Sequence, residues 1–398
     1  MELADILAEH GQAFERQHRL PLRHRKVLRA IVACRTAALG GHRQWCDQCD
    51  FERFVYHSCR NRHCPKCQTQ AKEAWRQARQ HELLPVPYFH QVFTLPHQLN
   101  EWVLAGEGNQ RALLKLLFNS AAATLLEFGR GQLGGQVGFT LVLHTWDQQL
   151  RPHYHLHGLI ASGALSQDDS RWIAGGAKFL FPVRALSKLF GGKFLAGFEK
   201  LLASGKLRLP AEYAAGTKHP RTMLKQLRKQ PWVVYSKAPF AGPAKLLDYL
   251  SRYTHRVAIS NERVVGCTDG QVSFRYRDRA DGDRRKTKTL PAGQFIGRFL
   301  THVLPDRFVR IRHYGFLSNR YRTRKLGTIR QLLGARPAEP VAVQTADQWL
   351  ESVLGIDPGC CPGCGGRLHQ SELTATPSET TQDRTQLEPR GPPEPTAT

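Results

Sequence analysis

Two consecutive runs decide the fold class: Val137-Gly138-Phe139-Thr140-Leu141-Val142-Leu143-His144-Thr145 and, after a turn-like 146–152, His153-Tyr154-His155-Leu156-His157 running on to Ser162. Both read as strands, and so short a link favours an antiparallel hairpin. Successive side chains of a strand point to opposite faces, so His155 and His157 share one face while Leu156 turns into the packing behind them. His153 faces the same way, and three imidazoles are too polar to bury together without a metal or a hydrogen-bond network. Two of them make a metal clamp, and softness alone does not choose among magnesium, manganese and zinc. The pair 153 and 155 fits the same spacing as 155 and 157. His144, on the preceding strand, is within reach as a third ligand, although a surface or packing histidine is the plainer reading.

Outward from the hairpin, Tyr88 to Leu95 reads as a strand stopped by Pro96, followed by a long helical stretch over 99–129. Residues 1–40 form two amphipathic helices broken at Pro21, and 71–85 a connecting helix ending at Pro85 and Pro87. A further helix begins near Pro243, with Leu246, Leu250, Tyr253 and Val257 as its apolar stripe. Arg263 to Cys267, Val272 to Asp278 and Arg284 to Leu290 alternate around Asp269-Gly270 and Asp281-Gly282 as a three-stranded meander, and a helix follows over 292–303. The expected class is α+β: an antiparallel sheet with helices packed on it, preceded by a small zinc-binding module. Its expected divisions are a helical and zinc-binding domain over 1–84, a catalytic domain over 85–335, an extension over 336–370 with a possible zinc knuckle, and a disordered acidic tail over 371–398.

Charge points to the partner. The 398 residues hold 57 Lys plus Arg against 33 Asp plus Glu, a net charge of +24. Two arginines, four glutamates and one aspartate make 371–398 net −3, leaving +27 on the rest. A polyanion is the expected partner. The segments Lys218 to Lys237, with Trp232 and Tyr235, and 306–330, with Phe308, Tyr314, Phe316 and Tyr321, interleave cations with rings that can stack on unpaired bases. No run of about 18 apolar residues exists and the first residues lack a signal-peptide layout, so a cytoplasmic protein is expected.

In a reducing compartment, clustered cysteines indicate metal more often than disulfides. Cys46-x2-Cys49 and Cys64-x2-Cys67 are two thiolate knuckles, expected to close one tetrahedron around a structural zinc. Cys59, His57 and His63 lie between them as substitutes or extra ligands. Arg53, Arg60 and Arg62 project from the same loop, which suits phosphate contact. Further on, Cys360-Cys361-Pro362-Gly363-Cys364 offers a single knuckle with His369 as a possible partner, and a second zinc and reduced thiols are evenly matched readings.

Tyr249 and Tyr253 stand one helical turn apart, so their hydroxyls can reach one small volume. They also fall on or beside the apolar stripe, where core aromatics are common. The histidine pair, the positive charge and the neighbouring Arg252, His255 and Arg256 favour nucleophiles. A tyrosine attacking a phosphodiester stores the bond as phosphotyrosine and needs no nucleotide cofactor.

These residues carry a resemblance. Gly40-Gly41-His42, Cys59-Arg60-Asn61-Arg62-His63-Cys64-Pro65-Lys66-Cys67, Phe89-His90-Gln91-Val92-Phe93-Thr94-Leu95-Pro96, Leu143-His144-Thr145-Trp146 and Tyr249-Leu250-Ser251-Arg252-Tyr253-Thr254-His255-Arg256-Val257-Ala258-Ile259-Ser260-Asn261 resemble the rolling-circle, two-tyrosine HUH transposases of the insertion sequence 91 type. The resemblance runs end to end apart from the acidic tail. It implies an RRM-like antiparallel sheet, His155 and His157 as ligands of a magnesium or manganese ion, and Tyr249 and Tyr253 as nucleophiles. It also implies strand cleavage and transfer of single-stranded DNA at mobile-element ends, with a 5′-phosphotyrosine intermediate. The alternatives are a plasmid or phage replication initiator or relaxase, which shares the histidine pair and tyrosine, and a zinc-dependent DNA-binding protein without catalysis.

Overall fold

The computed structural model describes residues 1–237, 257–337 and 344–375. Its strands, in chain order, are β1 (Gly41–Cys46), β2 (Glu52–Tyr56), β3 (Tyr88–Thr94), β4 (Gln136–Trp146), β5 (Pro152–Leu165) and β6 (Trp172–Ala174). They continue with β7 (Val234–Lys237), β8 (Val264–Thr268), β9 (Gln271–Asp278), β10 (Arg284–Pro291), β11 (Ile311–Gly315) and β12 (Leu368–Leu373). The chain divides into two units. One takes Met1–Ala74, Ile259–Leu300 and the described part of Ala342–Thr398; the other takes Trp75–Ala258 and Thr301–Val341. The divisions therefore do not follow sequence order, because the meander and the helix after it belong with the N-terminal unit.

The second unit is built on an antiparallel sheet ordered β11-β4-β5-β3-β7, with β6 paired to β5. Alternation assigns its two faces. Phe89, Phe93, Phe139, Leu141, Leu143, Tyr154, Leu156 and Ile160 are buried in one core with Leu113, Leu117, Phe118 and Leu125 of helix Glu107–Leu133 and Phe190, Phe194 and Phe198 of helix Val183–Ala203. Each such side chain contributes roughly 1.5–3 kcal/mol on burial. The first of these helices is long and apolar enough to cross a membrane by composition. Its apolar side is spent on this core. The single helix expected over 99–129 is two, Asn100–Leu104 and Glu107–Leu133, broken at Gly106, whose φ of 153° is open to glycine.

On the opposite face one end is covered by a second cluster that includes Leu84, Val86, Tyr88, Leu159, Ala161, Phe316, Leu326 and Ile329. The other end carries histidines.

In the first unit, helix Leu3–Gln17 packs against Leu22–Ala33 and Ala292–Leu300. The expected meander is present as β8-β9-β10, and a second small sheet is ordered β12-β1-β2. β12 corrects the tail reading at its start: Ser371, Glu372 and Leu373, expected to be disordered, pair with Arg43, His42 and Gly41. The helix expected from Pro243 and the tail from residue 376 on lie outside the described residues.

Candidate active site

Register across three strands builds the site. His144 of β4 stands directly opposite His155 of β5, which faces Thr94 of β3. The next row on that face is Val142, His157, Val92 and Tyr235, and the next is Thr140, Leu159, His90 and Lys237. His144, His155 and His157 therefore converge, each offering a ring nitrogen within 4.8 Å of the others. His155 Nε2 lies 3.1 Å from His157 Nε2. Their Nδ1 atoms are held from behind, at 3.0 Å from the His153 carbonyl and 2.9 Å from His90 Nε2. Such outer partners fix the tautomer and aim the other nitrogen inward. His144 and His157 are buried and His155 is half-buried.

A second line of rings supports His144. It stacks on Trp146 at 5.0 Å between centroids, and Trp146 meets the edge of His302 at 5.9 Å. His302 lies 3.1 Å from the Leu150 carbonyl and 3.3 Å from the Thr145 hydroxyl. Burial lowers its pKa to about 4 against the opposing pull of that carbonyl. His90 is likewise lowered to about 4, by burial first and then by Lys237. Both are therefore neutral at pH 7.

The 155 and 157 pair is thus the convergent one. The His153 ring instead stacks on His97, with centroids 5.2 Å apart. His144, for which packing was the plainer reading, joins the cluster through the hairpin register. His90 escaped sequence reasoning because nothing local fixes which strand pairs with β5. Tyr249 and Tyr253 lie outside the described residues.

The cysteines divide differently from the expectation. Cys46, Cys49, Cys64 and Cys67 do not share a centre; Cys64 and Cys67 gather with Cys34 and Cys59, and Cys46 and Cys49 with Cys361 and Cys364. In the first set Cys67 Sγ lies 3.4 Å from Cys34 Sγ and 3.6 Å from Cys59 Sγ. Cys34 closes helix Leu22–Ala33, while Cys64 and Cys67 flank a short helical turn. The hairpin β1-β2 carries Cys46 to the edge where β12 pairs, and so towards the C-terminal knuckle. His57 and His63 belong to neither set. His369 lies 3.1 Å from an Asp47 carboxylate oxygen instead of joining the knuckle.

Two family models match the chain: "Transposase zinc-binding domain" over residues 6–95 and "Putative transposase" over 138–325. The chain is 45% identical over 380 residues to "Putative transposase y4qJ" of Sinorhizobium fredii (strain NBRC 101917 / NGR234), covering 94% of each. The chain belongs to the insertion sequence 91 family of transposases. The transposase for insertion sequence element IS801 of Pseudomonas savastanoi pv. phaseolicola is 26% identical, over 85% of this chain and 81% of that one. Among solved structures, the conjugative relaxase TrwC in complex with mutant oriT DNA aligns at a TM-score of 0.23 and 13% identity, over 41% of this chain and 71% of that one. For a transposase with a zinc-binding domain, the set Cys34, Cys59, Cys64 and Cys67 is a fitting structural zinc site, four thiolates with no open position.

As a transposase the chain acts on DNA, and the structure sorts its basic, ring-rich segments. Trp232, Phe308 and Phe316 are core residues, buried to 5%, 4% and 0% exposure, so they are not stacking platforms. Tyr235 and Tyr321 are exposed, at 53% and 41%. Several cations are also occupied: Arg228 pairs with Glu199, Lys218 with Glu101 and Glu212, Arg322 with Glu82, and Lys325 with Asp169. Arg312 lies over Phe118 at 4.1 Å, and buried Arg330 donates to the carbonyls of His81 and Leu83.

Proposed function

We propose that this transposase nicks and rejoins single-stranded DNA at mobile-element ends through a 5′-phosphotyrosine intermediate, driving rolling-circle transposition. The convergence of His144, His155 and His157 on one sheet face carries the reading. Three converging imidazoles, two of them with Nδ1 held from behind, are a donor set suited to a divalent ion, and nitrogen donors fit manganese better than magnesium, which prefers oxygen. Such an ion, held by these three residues, would polarise a scissile phosphate.

The chain's own residues do the rest. One of Tyr249 and Tyr253 attacks phosphorus with its hydroxyl oxygen, giving up its proton as the P–O bond to the 3′ oxygen breaks and that oxygen leaves as a hydroxyl. The 5′ phosphate is then held on tyrosine. The free 3′ hydroxyl, or the second tyrosine acting on the other strand, completes the transfer. Tyr235 and Lys237, on the same sheet face as the histidines, are suited to stack on a base and neutralise a phosphate.

The deciding experiment incubates the purified protein with labelled single-stranded DNA from the element's ends, with and without manganese or magnesium, and scores covalent adducts on a denaturing gel. A metal-dependent adduct mapping to Tyr249 or Tyr253 is expected. Tight binding to the correct ends with no adduct would overturn the reading in favour of a DNA-binding protein without catalysis.

A further inference from the structure

We infer that Cys46, Cys49, Cys361 and Cys364 form a second structural zinc centre that fastens the C-terminal segment 344–375 onto the N-terminal β-hairpin. Two of its ligands lie outside both matched family regions, 6–95 and 138–325. Neither pair closes a site alone.

The sulfur geometry fits a metal. All four Sγ atoms lie within 4.8 Å of one another, with Cys46 to Cys364 at 3.5 Å and Cys49 to Cys361 at 3.6 Å. A zinc tetrahedron with Zn–S bonds of about 2.3 Å has S···S edges of about 3.8 Å. A disulfide needs about 2.05 Å. Amide hydrogens are aimed at three of the sulfurs, from Gln48 to Cys46, Gly363 to Cys361 and Gly366 to Cys364, each with N···S of 3.4 Å. Donors placed in this way stabilise thiolates rather than thiols.

The backbone is prepared for the same end. Cys46 pairs with Leu368 and Trp45 with His369 across β1 and β12. The C-terminal knuckle closes through Cys361 N–H donating to the Gly366 carbonyl at 2.7 Å and Gly365 N–H to the Cys361 carbonyl at 2.9 Å. Gly365 has φ of 79°, and a Cβ on Gly366 would come 2.6 Å from Gln48 Oε1 and 3.2 Å from Cys364 Sγ. What the β12-β1-β2 sheet lacks is an apolar interior. No residue of β2 or β12 is buried, and in β1 only Gly41 and Cys46 are. A sheet this small and this exposed needs a staple, and a metal-thiolate centre supplies one.

The test uses the full chain, purified under reducing conditions and dialysed against EDTA to clear the histidine site. Metal content is measured by elemental analysis and native mass spectrometry. Two tightly held zinc ions per chain are expected, falling to one in the Cys361→Ser/Cys364→Ser double variant. Two ions retained by that variant, one ion in the wild type, iron in place of zinc, or a Cys46–Cys364 or Cys49–Cys361 disulfide would each overturn the proposal. Should the variant fail to fold, differential alkylation of the wild type decides. Cys46, Cys49, Cys361 and Cys364 are expected to resist alkylation together and to become reactive together when one zinc equivalent is released by a strong chelator. Alkylation of Cys361 and Cys364 at the rate of Cys360, while Cys46 and Cys49 stay protected, would refute it.

Discussion

His90 Nε2 lies 2.9 Å from His157 Nδ1, with the two rings stacked at 5.1 Å between centroids. Buried and neutral, His90 can accept from His157 Nδ1–H and so leave His157 Nε2 facing the cluster. His90→Ala should weaken manganese binding by roughly 10- to 100-fold, since removing an outer partner of a ligating histidine typically costs that much. Titration calorimetry with manganese on the DNA-free protein checks it. Unchanged affinity would show that His90 does not orient His157.

His302 and His313 predict a pH dependence of stability. Both are lowered to about 4, His302 by burial and His313 by burial and then by Arg79 and Arg322. Because the folded pKa lies below the ordinary 6.5, the unfolded chain binds more protons in between. Their contribution is complete above about pH 6.5 and is lost as pH falls towards 4, at up to about 1.4 kcal/mol per pH unit for each group. Urea midpoints of the second unit at pH 7.5, 6 and 5 should therefore decline steadily. A flat profile would contradict neutral burial.

Gly315 ends β11 with φ of 63°, and a Cβ there would meet the Val137 carbonyl oxygen at 1.6 Å. Its strand neighbour Gly138 leaves room for the Phe316 ring, which would lie 2.2 Å from a Cβ on that glycine. Gly315→Ala should cost about 2–3 kcal/mol through backbone strain. Chemical denaturation reads it. A loss under 0.5 kcal/mol would mean that β11 repacks freely.

Cys34 was not among the ligands expected from spacing, yet it completes the set with Cys59, Cys64 and Cys67. Cys34→Ser should release one zinc ion per chain and unfold the first unit locally. Elemental analysis with far-ultraviolet circular dichroism would detect both; full zinc content would remove Cys34 from the site.

Local pattern made the class of fold legible. Alternation marked β3, β4 and β5 and placed His155 and His157 on one face, and the glycine turns marked the meander, because period and turn chemistry are properties of neighbouring residues. Each C-x2-C knuckle was legible for the same reason.

By itself, then, the sequence determined which short segments can hold a metal: two imidazoles on a strand, two thiolates on a turn. Only the tertiary structure decided what completes them. His144 and His90 reach His157 through strand register, and Cys46 finds Cys364 across 318 residues through the pairing of β1 with β12. Partner choice is a long-range packing outcome, and no local spacing encodes it.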